Sequence, residues 1–242
     1  MRSTAGLMFL TFFVSLTVLA QAEDVYPEFE AVYKAKVKIF GGKVRMSTKQ
    51  ESPGAYVFEY SIKPGRFVRL FVKGTMNETS QFTLADGRPR TNHYVLINTI
   101  GSNPRNGEVE FDWERNVVSG NYKDKVIDMP LPENAVDRAM LHIVLMADLR
   151  HGTLRESYAV YDKDEFMSIS VERLGDETVK IPLGTFETVI LQHTSPDGSA
   201  VGKLWCAPEL GYLPVLMEAR DDGSKVFHAK LVELTGLPAA FP

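Results

Sequence analysis

Residues 29–39 alternate cleanly. Phe29, Ala31, Tyr33, Ala35, Val37 and Ile39 share one parity, and Lys34, Lys36 and Lys38 share the other. An apolar side and a charged side at a period of two predict a half-buried antiparallel strand. Gly41-Gly42 supplies the backbone freedom of a tight turn, so 43–51 is predicted to return as a hairpin partner. After Pro53-Gly54, the residues Tyr56, Phe58, Tyr60 and Ile62 line one face of a third strand, and Lys63-Pro64-Gly65 turns the chain into a fourth at 67–75. Further strands are predicted at 78–84, 90–97, 109–113 and 117–122, then at 156–161, 166–174, 178–181, 185–193, 200–206, 213–219 and 225–234. Asp86-Gly87, Asn106-Gly107, Asn116, Asp197-Gly198 and Asp222-Gly223 mark the reversals between them.

One segment breaks the pattern. Pro130-Leu131-Pro132 stops the sheet, and 136–150 reads as a helix with apolar residues around most of its circumference. Asn134 is its expected amino-terminal cap, Asp137 sits in its first turn, and His151-Gly152 ends it. A helix of this kind is buried or covers a sheet. The expected fold is therefore mainly β: a strongly curved antiparallel sheet, half-barrel or sandwich-like, with one long helix packed on it.

The amino terminus changes the picture of where this fold works. Arg2, an apolar run over 5–19 and Ala20-Gln21-Ala22 follow the order of a cleavable secretory signal, so residues 1–22 are expected to be removed. A single domain over 23–242 would then act in the periplasm. The run is about 15 residues, short of the roughly 20 that span a bilayer, and no later stretch approaches that length. Export argues against nucleotides and nucleic acid as partners, and no transmembrane segment is expected after cleavage. Cys206 is the only cysteine, so no internal disulfide can form, and its apolar neighbours point to a buried, inert thiol. Charge is uneven: 29–75 carries ten Lys/Arg against three Glu, whereas 76–242 carries sixteen basic residues against twenty-five acidic ones.

Candidate chemistry is sparse. There is no glycine-flanked serine elbow, no phosphate-cradling glycine loop and no histidine pair at a metal-ligand spacing. His193 and His228 are the nearest approach to a zinc pair, and Asp162-Lys163-Asp164-Glu165 matches only the first positions of a calcium loop. No catalytic residue, metal or cofactor is expected.

Leu183-Gly-Thr-Phe-Glu-Thr-Val189, followed by Leu204-Trp-Cys-Ala-Pro-Glu-Leu-Gly-Tyr-Leu-Pro-Val215, resembles the exported bacterial family catalogued as domain of unknown function 3108. Phe29-Glu-Ala-Val-Tyr33, Ser80 and Phe82 before Gly87-Arg-Pro89, Phe111-Asp-Trp113, and Pro132 with Asp137-Arg138 echo the same pattern. The signature positions are Gly184, Phe186, Trp205, Pro208, Gly211, Tyr212, Pro214 and Asp137. The resemblance implies a β-rich envelope protein of Gram-negative bacteria with no established activity, and an aromatic or other bulky residue is more usual at the place of Cys206.

The function this suggests is a non-enzymatic binding or scaffold module of the envelope. A lipid-like ligand, apolar or anionic, would lie against Tyr33, Phe58, Tyr60 and Phe71 in the curved sheet, with Lys34, Lys36, Lys38, Arg45, Arg66 and Arg69 as candidates for its headgroup. The alternatives are a protein–protein scaffold without a ligand cavity, docking an envelope partner, and an atypical hydrolase.

Overall fold

The computed structural model describes residues 26–37, 40–65, 68, 73–101 and 103–237. The expected signal segment, residues 1–22, lies outside them. So do Lys38, Arg66, Arg69 and Phe71, and most of the strand expected at 67–75.

Eight strands form an antiparallel meander: β1 (Phe29–Val37), β2 (Phe40–Ser52), β3 (Ala55–Pro64), β4 (Met76–Ala85), β5 (Arg88–Asn98), β6 (Arg105–Asp112), β7 (Val117–Tyr122) and β8 (Lys125–Pro130). After β9 (Ala135–Asp137) and the helix α1 (Leu141–His151), a second meander runs through β10 (Ser157–Asp162), β11 (Glu165–Ile181), β12 (Gly184–Thr194), β13 (Ala200–Ala207), β14 (Leu213–Asp221) and β15 (Ser224–Thr235). β1 pairs with β15, which joins the two meanders into one fifteen-stranded sheet with β8 and β9 at its edges.

The sheet is unclosed but strongly curled. Phe111 of β6 packs edge-on against Tyr161 and Phe166 beyond the far edge, and Lys125 at the start of β8 pairs with Asp164 in the β10–β11 turn. One core follows from this curl. Ala31, Tyr33, Met46, Phe58, Phe82, Leu191, Leu204 and Leu231 point into the concavity from across the sheet, and α1 fills it with Leu141, Ile143, Leu145 and Met146. The expected fold class holds.

Local expectations needed correction at three places. Val37 pairs with Phe40, so the first hairpin reverses before β2 begins, while Gly41 and Gly42 lie inside β2 opposite Lys36 and Ala35. The segments 166–174 and 178–181 are one strand, β11, with a register shift at Arg173/Gly175. The helix starts five residues later than its periodicity suggests. Ala135, Val136 and Asp137 instead pair in parallel with Ala159, Val160 and Tyr161 of β10. Asn134 does not cap the helix; its side-chain amide donates to the Ser157 carbonyl. Edge pairing has overridden a helical pattern there, because tertiary hydrogen bonds outweigh propensity over three residues. Gly152 ends α1 in the left-handed conformation, as expected.

Candidate functional site

Asp137 is the best-connected polar side chain of the core. One carboxylate oxygen accepts hydrogen bonds from Ser80 Oγ (2.9 Å) and from the backbone N–H groups of Ala139 (3.0 Å) and Met140 (2.9 Å). The other accepts from Thr91 Oγ1 (2.7 Å). The carboxylate thus ties β9 to β4 and β5 and turns the chain toward α1. Burial raises its pKa to about 6, aided by the charge of Glu78, although the bonds from Thr91, Met140 and Ser80 favour the ionised form.

Arg138 extends this centre toward solvent. Its guanidinium donates to Glu78 at 2.8 and 3.0 Å and lies 3.5 Å from Asp162. Burial works against the Arg138 charge, yet Glu78, Tyr94 and Asp162 hold its pKa above the ordinary value. The buried Glu78 also accepts from the Tyr94 hydroxyl.

A small pocket of about 200 Å3 opens beside this network, lined by Tyr60, Ile62, Met76, Glu78, Arg138, Ala139, His142 and Phe227. Glu78 and Arg138 satisfy each other here, but His142 is left without a partner. His142, in the first turn of α1, stacks on Tyr60 with ring centroids 5.9 Å apart. Burial, and then the charges of His193 and Arg138, lower its pKa to about 3, so the ring is neutral at physiological pH. Its enclosed Nδ1 has no hydrogen-bond partner, and neither has the hydroxyl of Tyr33. Tyr33 lies within electrostatic reach of Cys206 and Tyr60, and burial raises its pKa and that of Cys206. His193 packs flat on β13: a Cβ at Gly202 would fall 2.0 Å from its Nε2, so only glycine fits beneath the ring. Burial lowers the His193 pKa as well.

The pocket lies at the end of the sheet where the β1–β2 hairpin turns. Val37 and Phe40, each 43% exposed, share the concave parity with Ile62, Met76 and Phe227, and Val37 is paired with both Phe40 and Phe227. Together these side chains form an apolar lip. The arrangement offers neutral hydrogen bonding at its floor and apolar contact at its rim.

A wider cleft of about 490 Å3 lies beside the other end of α1, between the β4–β5 turn, Trp113 and the segment after the helix. Two of its arginines are engaged. Arg88 sits 3.5 Å from the buried Asp148, which also accepts from Tyr158 and Thr153, and Arg90 stacks on Trp113 at 4.6 Å.

The residues expected to hold a ligand divide between two faces. Tyr33 and Phe58 are fully buried in the core, and Tyr60 lines the small pocket. Lys34, Lys36 and Arg45 are exposed on the convex face, where Arg45 pairs with Glu30. The pleat separates the two groups, so a molecule held by the aromatic side chains cannot reach these cations. His193 and His228 also fall on opposite faces: His228 is opposite Lys36 and lies 3.7 Å from Glu218.

Most signature positions build turns. Pro208–Leu210 forms a 3-10 turn, Gly211 (φ 62°) donates its N–H back to Pro208, and Tyr212 donates to Ala207. Pro214 opposes Cys206 at a register shift between β13 and β14. The Trp205 indole donates to Glu177 on β11 (2.8 Å). Gly184 opens β12 under the Phe186 ring. Asp137 alone among them reaches the pocket region.

Sequence reasoning about the site missed Glu78, Arg138 and His142. A signal for Glu78 was present, because it and Ser80 occupy the concave parity of β4 between Met76 and Phe82, where a core strand calls for apolar residues.

Comparison of the whole structure finds a β-barrel-like protein of domain of unknown function DUF1849 from Brucella abortus, with a TM-score of 0.59 and 10% identity. That match covers 88% of this chain and 98% of the other. MucB overlaps with a TM-score of 0.34 and 10% identity over 91% of this chain and 56% of its own. The Pseudomonas aeruginosa MucA/MucB complex gives 0.18, also at 10% identity, over 89% and 95%. Overlaps as loose as these two say nothing about this chain. Among the described residues no helix is long and apolar enough to cross a membrane. No curated protein matches the sequence. Residues 28–230 do match the family described as protein of unknown function, DUF3108, and the chain belongs to that family.

Proposed function

We propose that this is an exported, non-enzymatic protein of the cell envelope that holds an amphipathic, lipid-like ligand at the open end of its curved sheet. The supporting observation is an unpartnered polar atom, His142 Nδ1, in a side chain that lines a pocket opening through an apolar lip. Buried polar groups normally find partners, and a ligand hydroxyl or carbonyl would supply them. About 200 Å3 admits a small polar group or one chain end, since whole small-molecule sites occupy roughly 300–1,000 Å3. The rest of the ligand would lie on Val37, Phe40, Ile62 and Phe227. Export is supported by the order of charge, apolar run and small residues in 1–22.

Catalysis is the weaker reading. The Cys206 thiol is pushed up by burial, away from the thiolate a nucleophile needs, and both oxygens of Asp137 are committed to structural bonds.

Organic extraction of protein purified from its own envelope, followed by mass spectrometry, is expected to release a stoichiometric lipid-like species. Ile62→Trp should fill the pocket mouth and abolish that recovery while the fold is kept. Clean extracts from the natural chain would remove the proposal.

One observation favours a scaffold instead. Val126 on the edge strand β8 is 81% exposed, and an edge strand can accept a partner's strand. Val126→Lys would then abolish a specific crosslink to an envelope protein and leave lipid recovery unchanged.

A further inference from the structure

The convex face carries a charge pattern that pairing register imposes. Lys230 of β15 lies opposite Lys34 of β1, Lys34 opposite Lys43 of β2, and Lys43 opposite Lys63 of β3. Four lysines therefore form one lateral row across four adjacent strands, a span of roughly 15 Å at the usual strand spacing. Like charges placed directly opposite destabilise a sheet. Little nearby compensates. Lys43 lies 3.9 Å from Glu233, but both side chains are about two-thirds exposed, and such pairs contribute little. Among the described residues, no ion pair is recorded for Lys34, Lys36, Lys63 or Lys230. Lys36, on the same face, faces Gly41 on one side and His228 on the other, so it meets no counter-charge in register. The pKa of His228 is lowered by burial first and then by Lys225, Lys230 and Lys36, while Glu218 opposes the shift.

Val37 and Phe40, three residues beyond Lys34 and Lys43, carry the opposite parity and belong to the concave side, so the convex row itself is purely cationic. Cations gathered on one face with little counter-charge match the electrostatic requirement of a membrane-surface contact, attraction to anionic headgroups.

We infer that this face docks on an anionic phospholipid bilayer surface, with the Lys230–Lys34–Lys43–Lys63 row against the headgroups. The use of lysine favours lipid over an acidic protein. A lysine ammonium is a strongly hydrated point charge on a long stem, suited to a diffuse anionic layer, whereas paired carboxylates are better met by the arginine fork. Arg45, the arginine within the patch, has such a partner already in Glu30. The inference does not depend on the pocket holding a ligand.

The test is co-sedimentation of the full mature chain with phosphatidylcholine vesicles, with and without about one third phosphatidylglycerol. Binding is expected only to the anionic vesicles, and it should be lost in high salt as the Debye length shrinks. Lys34→Gln/Lys43→Gln/Lys63→Gln should weaken partitioning by about a hundredfold, at roughly fivefold per lysine near an anionic surface. Its unfolding midpoint should be unchanged or raised, because the row repels itself. The salt dependence of the natural chain tests the inference even if a variant misfolds. Equal binding to neutral vesicles, a triple variant that binds normally, or no vesicle binding at all would overturn it. Capture of an acidic polypeptide without vesicle binding would overturn it too and assign the face to a protein partner.

Discussion

Asp137 and Tyr33 are both completely buried in one continuous core, yet their polar atoms meet opposite fates. The Asp137 carboxylate accepts four hydrogen bonds, from two strands and from the turn into α1. The Tyr33 hydroxyl meets none, and neither does His142 Nδ1 on α1. An unsatisfied buried polar group costs about 1–3 kcal/mol. A satisfied one holds elements together, whereas an unsatisfied one in an apolar-lipped pocket leaves capacity for something else. The first region therefore reads as architecture and the second as a place to bind.

Substitutions can break this contrast. Asp137→Ala should have the largest effect, because it strands the donors of Ser80, Thr91, Ala139 and Met140 together. A loss of about 4 kcal/mol is expected in urea unfolding, and a change below about 1 kcal/mol would show that Asp137 does not organise the fold.

Asp137→Asn sharpens the same point through pH. The side chain keeps its proton to about pH 6 when folded, against an ordinary value of 3.8. Below that lower value both states are protonated and the carboxyl carries no charge penalty. As pH rises toward 6 the unfolded chain gives up its proton first, so the natural protein loses stability relative to Asp137→Asn, with the loss complete above that value. The total should be about 3 kcal/mol, at 1.36 kcal/mol per pKa unit. A difference that stays flat over this window would mean that Asp137 is not held protonated.

Arg138→Met leaves the buried Glu78 without its cation and should cost about 2 kcal/mol, less than a fully buried pair because Arg138 is partly exposed. Adding Glu78→Gln should restore most of the loss. Tyr33→Phe has the smallest expected effect on stability, between no change and a gain of about 1 kcal/mol, since it removes a hydroxyl that bonds nothing. Clear destabilisation by it would show that Tyr33 has an unseen structural partner and would weaken the contrast.

How much of this was legible beforehand differs between the fold and the site. The faces of β1 were readable from Lys34 and Lys36 set against Tyr33 and Ala35, because side chains alternate across a strand whatever it pairs with. Asp86, Asn116 and Asp222 all take positive φ at turns the sequence marks. The start of the helix was not readable. Residues 136–140 carry a helical pattern, yet β10 pairs with Val136 and Asp137, and the Asp137 side chain holds the N–H groups of Ala139 and Met140. The site was less legible than the fold. Tyr60 was found by its place on an aromatic face, while His142 and Arg138 have meaning only where α1 and β9 cross β3 and β4.

Sequence alone determined the class of structure, the two faces of its strands, the burial of Cys206 and the family. Each depends on local periodicity or on residue identity along the chain. Tertiary structure decided that β1 joins β15, that four lysines fall into one row, and that Asp137 is satisfied while Tyr33 is not. Those outcomes depend on which distant segments meet and in what register, and a local pattern does not encode its partner.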